Sequence, residues 1–442
     1  MKSGRCRVEI WLLSVAAAAV LAGCGSDASG PGDKPAAPAE NDPDYRIERV
    51  RNWLLIGNAV TPGHDDIEMQ VFAPGGVSTV DVWLDDQPGV RLAQSDEGDF
   101  RQVLDASDLA AGEHELLFAA DGEETAFARL VVRRSHPLYV VVTNDWDDPD
   151  NSDATLEQQE RLRMFHPEMR MTHFVGPYVY TAPTVSPERR QFLTDWVLGM
   201  RDEHDDEIGL HIHPYCNFID TTGVECRTEP STVYSAGDET GYTVQCSAYT
   251  DEEWTDILLA ADAIFEQNGL GKPTSFRAGG WTAELGTLRA LAAAGYVVDG
   301  SANNWARLEE WQGQGTLYAW NMEHWASIGD TSQPYYPSDS DILVAGDPAI
   351  GVLEVPDNGI LVDYVSGEEM IEIFDANWDR QSALEQPLVY SIGYHPPNFI
   401  SEYRVRITEA LTHAEEFLAS HDAGPVVYAT MSEMAEVWQR PQ

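Results

Sequence analysis

Two histidines at the end of an apolar run are the residues best suited to chemistry. Segment 207–215 reads EIGLHIHPY and has the pattern of a strand, in which residues i and i+2 point to the same face. His211 and His213 therefore project together, where the strand ends and a loop begins. Two adjacent imidazoles can hold a divalent metal ion. The alternative is a hydrogen-bonded pair at the rim of a core.

Polar residues stand at four other strand ends, and they favour the metal site. Asp145 and Asp147 follow the apolar run that begins at Leu138, Arg277 and Asp299 end two short runs, and His395 follows the run 388–394. In a parallel barrel the working residues lie at the C-terminal ends of the strands. We therefore expect acids, imidazoles and an arginine to meet at one mouth.

Each of these residues also has an ordinary structural explanation. Asp145 and Asp147 could cap a helix or belong to an acidic calcium loop. Arg277 could form a structural ion pair, and His395, which precedes two prolines, could be a packed loop histidine. The aromatic-rich stretch 305–336 is typical of a core, although such rings could also bind sugars at the rim. Polar clusters at five strand ends are difficult to explain as chance.

The elements that would position these residues begin after Pro137. Apolar strands alternate there with amphipathic helices, which predicts an α/β fold with a parallel sheet, and seven or eight such units indicate a closed barrel. The predicted strands are 138–143, 171–175, 207–213, 274–277, 296–299, 351–355, 388–394 and 426–429. Helices are predicted near 155–165, 187–203, 251–268, 282–294 and from 367 onward, and Thr250 and Ser366 open two of them with capping boxes.

The region before the barrel has a different pattern. Residues 45–135 contain short alternating strands separated by Gly-rich turns, which predicts a small antiparallel β-sandwich. Segment 111–115 resembles the closing hairpin of bacterial immunoglobulin-like modules, so the domain is identified as immunoglobulin-like. No chemistry is evident there. We expect a spacer, with weak glycan binding as the alternative, and we assign 136–442 to the barrel.

The N-terminus predicts export. Residues 1–23 have a positive start and a short apolar run, as in a signal peptide, and the run is too short to span a membrane permanently. The last residues before Cys24 resemble a bacterial lipobox, which implies acylation of Cys24 and a lipid anchor in the cell envelope, at the outer membrane or the cell surface. An ordinary signal peptide is the alternative. Residues 24–44 are rich in Gly, Ser and Pro and predict a flexible tether.

The cysteine count and the net charge indicate the environment in which the protein works. Cys216, Cys226 and Cys246 follow the histidine pair, so one disulfide and one free thiol are expected, with the pairing open. The net charge is −47, with only three lysines. Such a negative surface repels nucleic acid, so nucleic acid is excluded as a partner. The same surface suits a medium of high ionic strength, where charges are screened.

The order of the strand-end motifs resembles that of the NodB-type polysaccharide deacetylases. Residues 143–147 are similar to the family's Thr-Phe-Asp-Asp-Gly motif, and 171–176 to its second strand. Residues 276–281 are similar to the arginine motif, 299–305 to Asp-x-Ser-x-x-Trp, and 392–395 to the final histidine motif. The resemblance covers about residues 138–430. It implies a distorted (β/α)7 barrel and a hydrolase that removes acyl groups, N-acetyl above all, from a carbohydrate.

One departure concerns the metal ligands. The family spaces its two histidines i, i+4, whereas His211 is followed four residues later by Tyr215. The second imidazole must therefore come from His213. The resemblance then implies a divalent ion, with Zn²⁺ expected, on Asp147, His211 and His213, and Asp148 is the alternative acid.

The resemblance also implies catalytic roles. Asp145 would be the general base, Arg277 would orient it, and His395 would be the general acid; Asp299 would orient Arg277 or His395. Two other functions stay open. One is hydrolysis of a different non-peptide C–N bond, and the other is an inert glycan-binding lipoprotein.

Overall fold

A computed structural model describes residues 30–308 and 315–439. The predicted signal segment 1–23 and the predicted acylation site Cys24 lie outside the described residues. Within the described ranges, the helices are all too short or too polar to cross a bilayer.

The N-terminal region consists of two sheets that share one hydrophobic core. One sheet has the order β1-β3-β7-β6 and the other the order β2-β9-β8-β4-β5. Their strands are β1 Arg46–Glu48, β2 Trp53–Leu55, β3 Asp66–Phe72, β4 Val80–Leu84, β5 Val90–Arg91, β6 Ala93–Gln94, β7 Phe100–Asp105, β8 Gly112–Ala120 and β9 Ala128–Ser135. Val71 and Phe100 from the first sheet and Leu54, Val82 and Phe118 from the second are buried in this core.

Two features of this region differ from the sequence prediction. The β2–β9 pair is parallel, so the sandwich is not purely antiparallel. Part of the predicted tether is attached to the sandwich, because the backbone of Ala36 is hydrogen bonded to Glu124 and Ala126 and the side chain of Asn41 accepts a hydrogen bond from the Arg129 amide. The immunoglobulin-like assignment stays a prediction.

The C-terminal region is built on a curled parallel sheet. Its strands are β10 Leu138–Asp145, β11 Met171–Val175, β12 Glu207–Ile212, β13 Ser275–Ala278, β14 Val298–Asp299, β15 Leu353–Glu354, β16 Leu388–Tyr394 and β17 Val426–Tyr428. The order is β15-β14-β13-β12-β11-β10-β16, and β17 pairs with the first residues of β10. All of these pairs are parallel, as the continuous apolar strands predicted.

The gap between the edge strands β15 and β16 is bridged by segment 355–362, which follows β15 directly. The amide of Val355 donates to the carbonyl of Asp299 at 2.8 Å, and the amide of Gly359 donates to the carbonyl of Ser391 at 2.8 Å. The segment therefore passes from one edge strand to the other. This sheet is consistent with the predicted distorted (β/α)7 barrel.

Helices alternate with these strands. They are α1 Asp153–Phe165, α2 Tyr178–Thr181, α3 Pro187–His204, α4 Cys216–Ile219, α5 Asp251–Gln267, α6 Leu285–Ala294, α7 Thr316–His324, α8 Gly367–Asn377, α9 Ser401–Glu415 and α10 Met434–Val437. The capping boxes predicted at Thr250 and Ser366 are present in full. The helix predicted from 282 begins only at Leu285, where Glu284 is the N-cap residue.

Candidate metal and catalytic site

Three predicted metal ligands lie together at the C-terminal ends of β10 and β12. One carboxylate oxygen of Asp147, Oδ1, lies 3.1 Å from Nε2 of His211 and 3.3 Å from Nε2 of His213. One ligand atom from each residue lies within 4.8 Å of the other two. Asp148 is exposed and is not part of this group. The structure thus selects Asp147 over its neighbour.

The histidine tautomers suit a cation. Nδ1 of His211 lies 2.9 Å from the carbonyl oxygen of Arg277, and Nδ1 of His213 lies 2.7 Å from that of Tyr242. A carbonyl oxygen only accepts, so both Nδ1 atoms carry hydrogen and, in the neutral rings, both Nε2 atoms present lone pairs to Asp147. A carboxylate that faces two lone pairs requires a shared cation or two extra protons. The residues therefore fit a divalent metal ion.

The carboxylate of Asp147 is held in its charged form. Burial opposes that charge, but the imidazoles of His395 and His213 outweigh burial and hold the pKa of Asp147 well below its ordinary value. Its second oxygen, Oδ2, accepts a hydrogen bond from the hydroxyl of Tyr242 at 2.9 Å. Both oxygens of this carboxylate are therefore engaged.

Asp145 and Arg277 form a buried ion pair beside the predicted metal ligands. Arg277 Nη1 donates to Asp145 Oδ1 at 3.0 Å, and both side chains are fully or almost fully buried. Nη1 also donates to Thr143 Oγ1 at 2.9 Å, and Nε donates to the carbonyl of Gly300 at 2.8 Å. Asp357, which the sequence did not single out, lies 3.7 Å from Nη2. The predicted pairing of Arg277 with Asp145 is present in the structure.

His395 lies at the same mouth and is paired with a carboxylate that sequence reasoning missed. Its Nε2 is 3.7 Å from Oδ2 of Asp147, and its Nδ1 is 3.0 Å from Oδ2 of Asp363. Burial works against the charged ring, but the carboxylates of Asp147 and Asp363 outweigh it and raise the pKa of His395 to about 10. Asp363 lies in the irregular segment after β15, where no strand pattern indicated a site.

Asp299 has a different setting from the predicted one. Its Oδ1 accepts a hydrogen bond from Ser301 Oγ at 2.7 Å, and it interacts with the buried carboxyl of Glu354. Burial raises the pKa of Asp299 to about 6 and that of Glu354 well above its ordinary value. Its charge favours the charged form of Arg277, but the carboxylate that hydrogen bonds to Arg277 is that of Asp145, and the one that hydrogen bonds to His395 is that of Asp363.

The insertion between β12 and α5, residues 214–250, packs against the predicted metal ligands. Cys216 and Cys226 form its disulfide, and Cys246 is a buried free thiol, which resolves the pairing that the sequence left open.

Gly279, which follows β13, makes room for the histidine pair, because a Cβ atom there would lie 2.6 Å from Cγ of His213. A larger residue at this position would displace His213.

Aromatic rings connect the mouth with a cavity of about 460 Å³. The ring of Tyr364 lies 5.9 Å from that of His395 and 6.1 Å from that of Trp305. Tyr364 and Trp305 line the cavity together with Tyr234 and Tyr318. The predicted aromatic stretch therefore contributes both to the core and to a surface beside the catalytic candidates.

Comparisons with known proteins gave matches only at the level of structure. No family model and no curated protein sequence matches the chain. A family 4 carbohydrate esterase from Streptomyces lividans, solved in complex with acetate, is 10% identical, with a TM-score of 0.34, and the match covers 69% of this chain and 98% of the esterase. The peptidoglycan deacetylase of Bacillus subtilis is 12% identical, with a TM-score of 0.32 and coverage of 68% and 91%.

A third match is the chitin deacetylase of Colletotrichum lindemuthianum, at 10% identity and a TM-score of 0.35, with coverage of 67% and 87%. In its strand-end motifs the chain is similar to the NodB-type polysaccharide deacetylases.

Proposed function

We propose that this protein is a divergent member of that family, a metal-dependent hydrolase that removes acyl groups, N-acetyl above all, from a carbohydrate. The observation that carries the proposal is the position of Asp147, whose carboxylate faces two imidazole lone pairs. The ion pair of Asp145 with Arg277 lies beside it. The alternative roles in a helix cap or a calcium loop do not account for two histidine ligands at one carboxylate oxygen.

The chemistry follows from the neighbours of each side chain. A divalent ion on Asp147, His211 and His213 would activate a water and polarise the acyl carbonyl. Asp145 accepts the proton of the attacking water, as a general base. Arg277 holds the Asp145 carboxylate in place and supports its negative charge.

The second proton transfer belongs to His395. Its Nδ1–H is bound to Asp363, so Nε2 is the atom directed toward Asp147 and the mouth. In the protonated ring Nε2 donates to the leaving amine as the C–N bond breaks. The raised pKa keeps the ring protonated at neutral pH. A general base and a general acid are thus supplied by two separate pairs.

Two features support a carbohydrate as the substrate. The motif order is similar to that of enzymes that deacetylate polysaccharides. The cavity beside His395 is lined by Trp305, Tyr318 and Tyr364, and aromatic faces pack well against the apolar faces of sugar rings.

The test uses the purified protein without its signal segment. Metal content is measured by elemental analysis, and acetate release is measured on N-acetylated chito-oligosaccharides and on small amides with other C–N bonds. Acetate release from the oligosaccharides in the presence of stoichiometric Zn²⁺ supports the proposal. A metal-loaded protein that cleaves only the small amides supports the alternative hydrolase, and a protein that binds no divalent ion would be an inert binding module.

We also propose that the protein is exported and anchored to the cell envelope by acylated Cys24. Its disulfide, Cys216–Cys226, supports this proposal, because structural disulfides belong to oxidising compartments. Mass spectrometry of the N-terminal peptide from membranes tests it. An acylated Cys24 is expected, and a mature chain whose N-terminus bears no lipid would contradict the anchor.

A further inference from the structure

Tyr242 makes three separate contacts with two of the metal ligands. Its hydroxyl donates to Asp147 Oδ2 at 2.9 Å. Its carbonyl oxygen lies 2.7 Å from Nδ1 of His213 and accepts that proton. Its ring stacks on the imidazole of His213, with the centroids 4.3 Å apart and the planes 22° from parallel. One residue therefore contacts the carboxylate and an imidazole of the same site.

The turn that carries Tyr242 is fixed by a carboxylate. Asp238 Oδ1 accepts hydrogen bonds from the amide and hydroxyl of Thr240, at 2.8 and 2.6 Å. Asp238 Oδ2 accepts from the amide and hydroxyl of Thr243, at 2.7 and 2.9 Å. The same side chain thus binds residues on both sides of Tyr242. Asp238 itself is not one of the grouped ligands of the metal site.

The turn is also joined to the disulfide end of the insertion. The amide of Cys216 donates to the carbonyl of Thr240 at 2.8 Å. Gly241 has a φ of +89°, and a Cβ atom there would lie 2.3 Å from the carbonyl oxygen of Pro214. A glycine is therefore required for the close approach that brings the next residue, Tyr242, over His213.

We propose that Tyr242 is a positioning residue for the divalent ion, and that Asp238 acts through it by fixing the turn. This inference rests on the proposed function, because it assigns a support to the same ligands. The hydroxyl of Tyr242 hydrogen bonds to Oδ2 of Asp147, so Oδ1 is the oxygen that faces the two imidazoles. The carbonyl keeps the proton of His213 on Nδ1, and the stacked ring fixes the plane of the imidazole. Such outer contacts set the affinity of a metal site.

The role of Tyr242 differs from that of a catalytic residue. Its contacts are with Asp147 and His213, so its removal should change metal binding even without a substrate. The i, i+2 spacing of the histidines gives a physical reason for the support. His213 lies just beyond the last residue of β12, Ile212, so the strand alone does not fix its ring. The insertion supplies the missing constraint.

The experiment is a competition titration of Zn²⁺ between the purified protein and a chromogenic chelator. Tyr242→Phe removes the hydroxyl and keeps the ring, and it should weaken Zn²⁺ binding by roughly 10-fold. Asp238→Ala should weaken it by several-fold, because it releases the turn although the ligands and Tyr242 themselves are not substituted. The control is Tyr249→Phe in the same insertion, whose hydroxyl accepts from the amide of Arg227, and it should bind Zn²⁺ as wild type does.

The outcomes separate this inference from the proposed function. A wild-type protein that binds no divalent ion overturns both. A wild type that binds Zn²⁺ and a folded Tyr242→Phe variant with unchanged affinity overturn the positioning role alone. If Tyr242→Phe does not fold, Asp238→Ala decides, because unchanged affinity there also overturns the proposal.

Discussion

Asp363 binds His395 at two points with one carboxylate oxygen. Oδ2 accepts from the backbone amide of His395 at 3.1 Å and from its ring Nδ1 at 3.0 Å. The contact with the backbone amide holds the Asp363 carboxylate at the position where Nδ1 of the ring can donate to it. This geometry explains how a histidine that precedes two prolines is held in one orientation and directs Nε2 toward the mouth.

Asp363→Asn should lower kcat and shift the alkaline limb of the pH profile to lower pH. The Asp363 carboxylate raises the pKa of His395, so its neutralisation lowers that pKa. A general acid must be protonated, and the variant therefore loses activity at a lower pH than wild type. We expect a loss of about 100-fold at neutral pH, the lower part of the range for general acid catalysis.

A second histidine–aspartate pair provides the control for this prediction. His413 Nε2 lies 2.9 Å from Asp375 Oδ1, on helices outside the mouth. Asp375→Asn should leave kcat and the pH profile unchanged, as followed by acetate release from pH 5 to 10. An identical pH shift in both variants would mean that the effect of Asp363→Asn is general.

Removal of a metal ligand and removal of the base should have different consequences. His211→Ala should lose both the bound ion and the activity, because it deletes one of three ligands. Asp145→Asn should keep the ion and lose turnover by ~100- to 10,000-fold, the range for a general base. Metal content by elemental analysis and acetate release distinguish them. Equal metal loss in both variants would contradict the role of Asp145 as base.

Arg277→Met should destabilise the protein strongly. The guanidinium is fully buried between Asp145 and Asp357, and its removal leaves two buried carboxylates without a counter-charge. Breaking such a pair costs about 3–5 kcal/mol. Urea denaturation measures the change in the free energy of unfolding. A further Asp357→Asn substitution should recover part of the loss, and an Arg277→Met variant as stable as wild type would contradict this account.

The buried acid pair Asp299 and Glu354 should make the protein less stable at high pH. The pKa of Glu354 is raised in the folded state by burial and by Asp299, so the folded state binds more protons than the unfolded state above pH 4.5. The free energy of unfolding therefore falls as the pH rises toward the folded pKa, by up to about 1.4 kcal/mol per pH unit.

Glu354→Gln should remove this part of the pH dependence. Glutamine cannot ionise, and its side-chain oxygen can still accept the amide of Ala302, which donates to Glu354 at 2.8 Å. Relative to wild type, the variant should gain stability between pH 5 and pH 8 in urea denaturation. If the free energies of unfolding of variant and wild type differ by the same amount at pH 5 and pH 8, the raised pKa of Glu354 is contradicted.

The local sequence pattern predicted the regular elements and the site residues that stand at the strand ends. Strand β11 has the predicted bounds, and the capping boxes at Thr250 and Ser366 are present. The convergence of Asp147, His211 and His213 followed from their positions at the ends of parallel strands. Asp363 and Tyr242 were not predicted, because both lie in irregular segments whose course depends on contacts distant in the sequence.

The sequence by itself determined the α/β pattern of the C-terminal region, the strand ends at which polar residues stand, and the parallel projection of His211 and His213. These features depend on short-range periodicity, which the chain carries locally. The tertiary structure alone decided that Asp147 rather than Asp148 faces the imidazoles, that Cys216 pairs with Cys226, and that Asp238 and Tyr242 support the site. Those choices depend on side-chain distances across an irregular insertion, and no local periodicity encodes them.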